Sequence, residues 1–293
     1  MVVPTSNRAS YLEVTLASLA AQDFDGPWTT IVVDDASTDA TAAVIERFGV
    51  ESIRQPRPLG PNPARNAAFA ASGSELVALV DDDVHVPPGW LRAMVAGAER
   101  HPGADVLGGP IRARFEGPAP RACGREEPPI TVLDLGPDDR EAELVWSANL
   151  TFRRRAFDLA GPFPADIPPG GDEEEWLHRL HRAGGSVVYV ADAWLEHRRA
   201  GDDARLRSLM RSAYFRGRNV RSYDARRGAA PPLARELRVL AGCGWHTARR
   251  GCPQGLIMGA HTWGRLREAL SPRAGSADGD LRAVPGRRAG IDP

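Results

Sequence analysis

The sequence predicts an α/β protein with a doubly wound, mostly parallel sheet and helices on both faces. Short runs of Val, Ile and Leu alternate with amphipathic helical segments through the first hundred residues, and this alternation is typical of a parallel sheet. Two of the runs, at 28–33 and 76–80, end directly in carboxylates. Ligands bind at the strand ends of such sheets, so the sequence indicates a site at this edge.

The first hundred residues form four predicted strand–helix units. Strands are expected at 1–4, 28–33, 51–54 and 76–80, with helices from Ser10, from Asp39 to Phe48, through the sixties to Ala71, and from Gly89 to His101. The helices carry apolar residues at helical spacing. The first strand starts abruptly at Met1, so we expect it to have lost a few residues.

Further strands are expected at 106–111, 144–152 and 186–190, and helices at 153–159 and from Asp172. Residues 115–139, rich in Pro, Gly and acids, are expected to form a loop. The sheet domain is therefore predicted to span residues 1–200. A helical extension with Arg-rich segments at 205–227, 233–250 and 256–270 then covers 201–270. Residues 271–293 have few apolar side chains and are predicted to be disordered.

Charge is distributed unevenly along a chain that is nearly neutral overall. Residues 1–197 hold 17 Arg and 30 Asp plus Glu, a balance of −13, whereas residues 198–293 hold 20 Arg and 8 acids, a balance of +12. All basic side chains other than His are Arg. An acidic front suits metal and carboxylate chemistry, and a basic rear suits an anionic surface such as phospholipid. Mutual neutralisation of the two halves is the alternative.

Several function classes are disfavoured by absent motifs. The sequence has no GxGxxG after the first strand, no GxxxxGK[ST] and no GxSxG, which argues against a dinucleotide-binding domain, a P-loop NTPase and an α/β-hydrolase. Cys123, Cys243 and Cys252 are far apart, so they indicate neither a disulfide framework nor a zinc site. No signal peptide or membrane-spanning run is recognisable. Cytoplasmic location is therefore expected.

Two acidic clusters carry the candidate chemistry. Asp81, Asp82 and Asp83 follow the fourth strand, and three adjacent like charges favour a shared divalent cation. A solvated acidic turn is the alternative. Residues 172–175 are four acids at a helix start. They complement the helix dipole, although four in succession exceed what capping requires.

These motifs together resemble those of family 2 glycosyltransferases of the GT-A fold, the inverting type that uses nucleotide-sugar donors. The resemblance covers about residues 2–199. It rests on an ordered set of segments: 3–8 (VPTSNR), 32–39 (VVDDASTD), Arg65-Asn66, Asp81-Asp82-Asp83, Asn149 ahead of 152–154 (FRR), and 171–176 (GDEEEW). The first strand is not followed by the Gly-rich basic loop of nucleotidyltransferases, which use a similar fold.

The resemblance implies a donor site and a metal site. Residues expected to bind the nucleotide sugar are Pro4, Thr5, Asn7, Arg8, Asp35, Arg65, Asp81 and Asp82. Mg²⁺ or Mn²⁺ is expected on Asp83 and Asp81, although Asp81 could instead hold the ribose or a metal-bound water. His197 is expected as a further ligand, with a hydrogen-bonded structural role as the alternative. A cation bridging both phosphates stabilises the departing diphosphate as a Lewis acid.

The resemblance also implies a catalytic base at the acidic helix start. Inversion needs a carboxylate that removes the proton of the acceptor hydroxyl, in this family usually the Asp of a Glu-Asp pair. Here the pair is Asp172-Glu173, so Glu173 is the base by position and Asp172 the substitute candidate. Trp176 and Asn149 are expected at the acceptor site, with Trp176 as a core anchor of its helix as the alternative.

The implied reaction is hexosyl transfer from a UDP-, GDP- or dTDP-linked sugar, in cell-envelope or polysaccharide biosynthesis. No nucleic-acid partner is expected. The Arg-rich helices favour a lipid-linked acceptor and peripheral contact with the inner face of the membrane. Because the order of acids in the base pair is altered, a nucleotide-sugar-binding protein without turnover is an alternative, and a nucleotidyltransferase is another.

Overall fold

The computed structural model describes residues 1–118, 121, 130–167 and 171–271. Its strands are β1 Val2–Thr5, β2 Ile31–Asp34, β3 Glu51–Arg54, β4 Leu76–Val80, β5 Val84–His85, β6 Val106–Gly108, β7 Ile111–Glu116, β8 Arg140–Glu141, β9 Asn149–Arg153, β10 Val187–Tyr189 and β11 Leu195–Ala200. Its helices are α1 Ala9–Ala20, α2 Thr41–Phe48, α3 Pro61–Ala71, α4 Trp90–Arg100, α5 Arg154–Ala160, α6 Asp172–Arg182, α7 Leu206–Arg226, α8 Leu233–Arg250 and α9 Gln254–Ala269. The predicted disordered tail, beyond Ser271, and part of the loop predicted at 115–139 lie outside the described residues.

The larger sheet confirms the predicted doubly wound, mostly parallel architecture. Its strand order is β3-β2-β1-β4-β9-β6-β10-β8. Strands β1 to β4 pair in parallel, as do β6 and β10, whereas β9 lies antiparallel between β4 and β6. The strand β9 is shorter than the predicted 144–152, because the backbone turns just before it, with the Asn149 N–H bonded to the Trp146 carbonyl.

Both faces of this sheet are buried, which explains why its strands are continuous apolar runs. Because side chains alternate along a strand, Val3 and Val80 join one apolar cluster with α1, α2 and α4. Val2 and Leu79 join the other cluster, with α3, α5 and α6. The central strands are thereby fixed in position, and so are the polar residues that follow them.

A smaller three-stranded sheet, in the order β5-β11-β7, was not predicted. The single strand expected at 106–111 is divided, because Pro110 cannot donate a ladder hydrogen bond and β7 begins in the smaller sheet. β11 pairs antiparallel with β5, which places His197 opposite Val84. Its sequence, LEHRRA, lacks the apolar pattern by which strands are recognised.

The chain divides into two compact units. The sheet unit comprises Met1–Arg114, Val132–Ala165 and Asp172–Arg198, and the helical unit comprises Phe115–Thr131, Asp166–Gly171 and Arg199–Pro293. In the helical unit α7 and α9 pack with their backbones in contact. A Cβ on Gly217 would lie 2.0 Å from the His261 carbonyl oxygen, and one on Gly264 would lie 2.0 Å from that of Tyr214. Only glycine permits so close an approach.

Candidate active site

The three aspartates follow β4 at the same sheet edge as the end of β1. Asp82 accepts hydrogen bonds from the Thr5 hydroxyl at 2.7 Å and from the Arg8 guanidinium at 2.6 Å. The other guanidinium nitrogen of Arg8 lies 2.8 Å from Asp83. All three aspartates are buried. The parallel pairing of β1 with β4 therefore brings Arg8 onto a carboxylate cluster distant in sequence, where its charge offsets theirs.

His197 completes a set of three candidate metal ligands. Its Nε2 lies 3.0 Å from Asp83 Oδ1, and both side chains are fully buried. One ligand atom each from Asp81, Asp83 and His197 lies within 4.8 Å of the others. Two carboxylate oxygens and one imidazole nitrogen suit Mn²⁺, and the oxygens suit Mg²⁺. The residues present therefore fit a divalent cation of the kind expected from the sequence.

Arg65 is the buried cation at the centre of the second acidic cluster. Its guanidinium lies 3.0 Å from Asp172 and 3.1 Å from Glu173, and it donates to the Ser147 hydroxyl at 2.6 Å. It also approaches Asp81 to 4.0 Å. Burial alone would lower the pKa of Arg65, but the carboxylates of Glu173, Asp172 and Asp81 outweigh it and raise that pKa. Arg65 thus joins the two acidic clusters.

The two oxygens of the Glu173 carboxylate have different surroundings. Oε1 accepts from the Ser147 hydroxyl and from Arg65. Oε2 is buried and has no hydrogen-bond partner among the described residues. Burial raises the pKa of Glu173, Arg65 opposes that shift, and the charge of Asp172 adds to it. The carboxylate therefore has one anchored oxygen and one oxygen that can accept a proton.

The loops expected to contact the nucleotide are tied to one another. Asp35 accepts from the backbone N–H groups of Leu59 and Gly60 at 2.7 and 2.9 Å. Gly60 has a φ of +94°, a conformation that favours glycine. Asn7 Oδ1 accepts from the Thr38 N–H at 2.8 Å. Pro4, in β1, lies opposite Val33. These contacts hold the strand-end loops in fixed positions.

Trp176 and Asn149 lie in the interior of the sheet unit. Trp176 is fully buried, stacks on Phe163 with ring centroids 4.7 Å apart, and donates to the Gly161 carbonyl. Asn149 is also fully buried and accepts from the Trp90 indole N–H at 2.9 Å. The indole N–H of Trp176 and the amide of Asn149 are bonded within the sheet unit, so we leave both out of the acceptor contact proposed below.

Ser147 was missed by the sequence reasoning although it contacts both Arg65 and Glu173. The available signal was weak, since it consisted of one small polar residue two positions before Asn149. Serine is common in turns and caps. Only the fold shows that this hydroxyl is directed at the acidic helix start.

A sequence profile described as "Glycosyl transferase family 2" matches residues 1–159. The chain belongs to glycosyl transferase family 2. It is 28% identical over 203 residues to the succinoglycan biosynthesis protein ExoM of Rhizobium meliloti, covering 64% of this chain and 63% of that protein. It spans less than two thirds of the length of ExoM, and 12% to 56% of several other curated relatives.

Two solved structures share the fold. The mannosyltransferase PcManGT from Pyrobaculum calidifontis, in complex with GDP-Man and Mn²⁺, has a TM-score of 0.57 at 19% identity, covering 96% of this chain and 75% of that one. Residues 1–349 of TarS from S. aureus, in complex with UDP-GlcNAc, have a TM-score of 0.54 at 16% identity, covering 92% and 90%. The GT-A fold expected from the sequence is therefore confirmed.

Replacing the buried cation of this site should destabilise the protein in a pH-dependent way. Arg65→Met leaves Asp172, Glu173 and Asp81 without their shared counter-charge, so we expect a loss of about 3–5 kcal/mol in the free energy of unfolding at neutral pH. The loss should shrink as pH falls, because Glu173, whose pKa is already raised, takes up a proton and becomes neutral. Urea unfolding at neutral and mildly acidic pH measures both effects.

Arg92→Met is the matched control for this substitution. Arg92 pairs with Asp23 at 2.5 Å, but both side chains are more than half exposed. Such surface pairs contribute under about 1 kcal/mol. Equal losses in the two variants, or a loss at Arg65 that is independent of pH, would contradict the role given to Arg65.

Proposed function

We propose that this family 2 glycosyltransferase is metal-dependent and inverting, and that it moves a hexosyl group from a nucleoside-diphosphate donor to an acceptor hydroxyl. One observation carries the proposal. The candidate metal ligands and the candidate base, two clusters with different chemistry, are joined through a single buried arginine, Arg65. That arrangement supplies both requirements of the reaction, a means of stabilising the leaving diphosphate and a base for the acceptor.

The donor is proposed to bind across the ends of β1, β2 and β4. Pro4, Thr5, Asn7 and Asp35 border the nucleotide there. The two proteins of similar fold were solved with GDP-Man and with UDP-GlcNAc. These ligands support a nucleotide sugar as the donor, but they do not indicate which nucleobase it carries. Arg8, Asp82 and Arg65 are proposed to lie near the sugar and the phosphates of the donor. The contacts of the two arginines hold the aspartates in place there.

The metal is proposed to be Mg²⁺ or Mn²⁺, held by Asp81, Asp83 and His197. When bound, such a cation supplies Lewis-acid stabilisation of charge on the leaving diphosphate. Two of the three protein ligands are positioned by separate contacts: Asp83 by Arg8, and His197 by the pairing of β11 with β5. Buried carboxylates are costly without such compensation.

Glu173 is proposed to be the base, acting through Oε2. As the acceptor oxygen bonds to the anomeric carbon, its proton moves to Oε2, while the bond from that carbon to the diphosphate oxygen breaks. A pKa raised by burial makes this carboxylate a stronger base than an exposed one. Asp172 is not assigned the proton, and its contact with Arg65 at 3.0 Å holds it in the same cluster.

The acceptor is proposed to be lipid-linked and to be reached at the inner face of the membrane. The basic balance of residues 198–293 supports contact with an anionic surface. Within the described part of the chain, no helix is long and apolar enough to cross a bilayer. The name of ExoM, a succinoglycan biosynthesis protein, supports a role in polysaccharide assembly.

Donor and metal should bind together and stabilise the protein. In a thermal-unfolding screen of UDP-, GDP- and dTDP-sugars, we expect one nucleotide class to raise the melting temperature only when Mn²⁺ or Mg²⁺ is present. The gain should be about 2.7 kcal/mol at a donor concentration of a hundred times Kd. His197→Gln should remove the metal-dependent part of the shift.

His85→Gln is the control for that variant, because His85 lies on β5 in the same small sheet but pairs with Glu196 outside the ligand set. Each shift is compared with the melting temperature of the same variant without metal. A donor shift that is unaffected by metal removal would refute the metal-dependent mechanism.

Removal of the base should slow turnover without weakening donor binding. We expect Glu173→Gln to lower kcat by about 10²–10⁴-fold, measured as release of nucleoside diphosphate from the donor found in the screen. Asp172→Asn should have a smaller effect, because that carboxylate is not assigned the proton. Glu174→Gln, in the same helical turn, should leave the rate nearly unchanged. If neither Glu173→Gln nor Asp172→Asn affects turnover while donor still binds, the base assignment is wrong.

The Ser147 hydroxyl should tune the base rather than bind substrate. Ser147→Ala removes a donor to Glu173 Oε1, so the pKa of Glu173 should rise further. The acidic limb of the kcat/KM profile should therefore move to higher pH, with the donor KM unchanged. Ser147→Thr, which keeps the hydroxyl, should restore the profile. A rise in KM with an unshifted pH profile would show that Ser147 acts on substrate binding instead.

A further inference from the structure

The last two helices of the described chain expose an unusual amount of apolar surface. On α8, Leu237 is 56% and Trp245 is 67% exposed; on α9, Trp263 is 53% and Leu270 is 64% exposed. Single exposed apolar residues are ordinary, but contiguous patches mark binding surfaces. The positions of these residues around each helix therefore decide whether they form one surface.

On α8 four exposed apolar residues form one strip, whereas Val239, which is 43% exposed, lies on the opposite side of the helix. Leu233, Leu237, Ala241 and Trp245 recur at every fourth position and are all exposed. Residues four apart lie above one another on a helix, displaced by roughly 40°. A different side of α8, which carries Leu240, Cys243 and Thr247, faces α9. A Cβ on Gly259 would contact Leu240 and Cys243, and one on Gly255 would contact Cys243 and Thr247.

At the positions of α9 and its C-cap, three exposed apolar residues form a second strip at a spacing of seven, whereas Met258, which is 39% exposed, lies outside it. Leu256, Trp263 and Leu270, the last being the C-cap residue, are all exposed. A spacing of seven is close to two helical turns, so these side chains lie in one line. Gly255 and Gly259 mark the side of α9 that faces α8. The strip lies roughly 60° from that side around the helix axis.

The two strips lie on the same side of the helix pair. The helices are joined by three residues, 251–253. They run antiparallel, since Gly255 lies beside Thr247 and Cys243 whereas Gly259 lies beside Cys243 and Leu240. The strip of α8 lies roughly 105° around the helix axis from the side of α8 that faces α9. On each helix, the rotation from the facing side to the strip has the same sense as the turn of the chain from its N-terminus to its C-terminus. Because right-handed helices of opposite direction turn in opposite senses when viewed from one end, both strips face the same way. We name this surface the α8–α9 face.

Arginines border this face on both sides. Arg238 and Arg249 follow the apolar strip of α8, and Arg267 follows that of α9; all three are exposed. The Arg249 guanidinium lies 6.0 Å from the Trp245 ring centroid. The acids of the two helices are engaged elsewhere, since Glu236 pairs with Arg265 and Glu268 with Arg218. The border is therefore net positive.

We propose that the α8–α9 face lies on an anionic phospholipid surface, with both helices parallel to the bilayer plane. Leucine side chains enter the acyl boundary, the two indoles sit at headgroup level with their N–H groups facing polar atoms, and the bordering arginines contact phosphates. Charge complementarity selects an anionic bilayer over an uncharged one. Membrane binding itself does not depend on the proposed function. Its proposed role, which is to bring the enzyme to a lipid-linked acceptor, rests on that function.

The test is co-sedimentation of the full chain with vesicles. One set contains phosphatidylcholine alone and the other equal parts of phosphatidylcholine and phosphatidylglycerol, at low salt. We expect binding to the anionic set, with a blue shift of tryptophan fluorescence. Leu237→Glu combined with Trp245→Glu should weaken the partition coefficient by at least about tenfold. Arg238→Gln combined with Arg249→Gln should weaken it by about 20- to 30-fold, about fivefold for each charge.

Leu159→Glu is the matched control, because Leu159 is a leucine of α5 in the sheet unit and is 44% exposed. It should leave binding unchanged. Every variant should keep the donor-dependent thermal shift, so loss of vesicle binding is distinguishable from failure of the proposed function. Equal binding to neutral vesicles, or no binding to either set, would overturn the inference. A concentration-dependent dimer that Leu237→Glu with Trp245→Glu abolishes would also overturn it, and would assign the face to a second copy of the chain.

Discussion

The active-site geometry depends on one constraint, the compensation of buried negative charge. Asp172 and Glu173 are buried together at the start of α6, and Arg65 is the cation that contacts both. An isolated carboxylate in such a position would be too costly to keep ionised. The guanidinium has several donors in a fixed plane, so one side chain can hold two carboxylates and the Ser147 hydroxyl at once. The site is therefore fixed by the orientation of α3, from which Arg65 projects.

The same constraint explains why two different arginines contact the two acidic clusters. Arg8 offsets Asp82 and Asp83 from the loop after β1, while Arg65 offsets the later pair and reaches only to 4.0 Å from Asp81. Charge is thus balanced without saturating every oxygen. Glu173 Oε2 has no hydrogen-bond partner among the described residues, and one ligand atom each of Asp81, Asp83 and His197 lies within 4.8 Å of the others.

Arginine serves two different purposes in this chain. In the sheet unit, buried arginines hold carboxylates in chemically useful positions. In the helical unit, Arg265 has a similar buried role with Glu236 and Asp224, which satisfies the interior of a three-helix packing. The exposed arginines of α8 and α9 instead border apolar strips. Composition does not distinguish the two roles, since the chain contains no lysine and 37 arginines. The burial of each arginine side chain distinguishes them.

The fold class, the family and the positions of the two acidic clusters could all be predicted from the amino-acid sequence. These are local properties: apolar runs such as 76–80 and acids such as Asp81–Asp83 are adjacent along the chain. Tertiary structure decided which residues meet. Arg65, expected to bind the nucleotide sugar, contacts Asp172 and Glu173. Ser147 was not predicted, and His197 reaches Asp83 because it lies on β11, a strand without an apolar pattern. Trp176 and Asn149 carry motif positions but are buried by packing. Such pairings depend on strand register and helix orientation. These are set by the burial of apolar side chains over the whole sheet, so they cannot be inferred from any short segment.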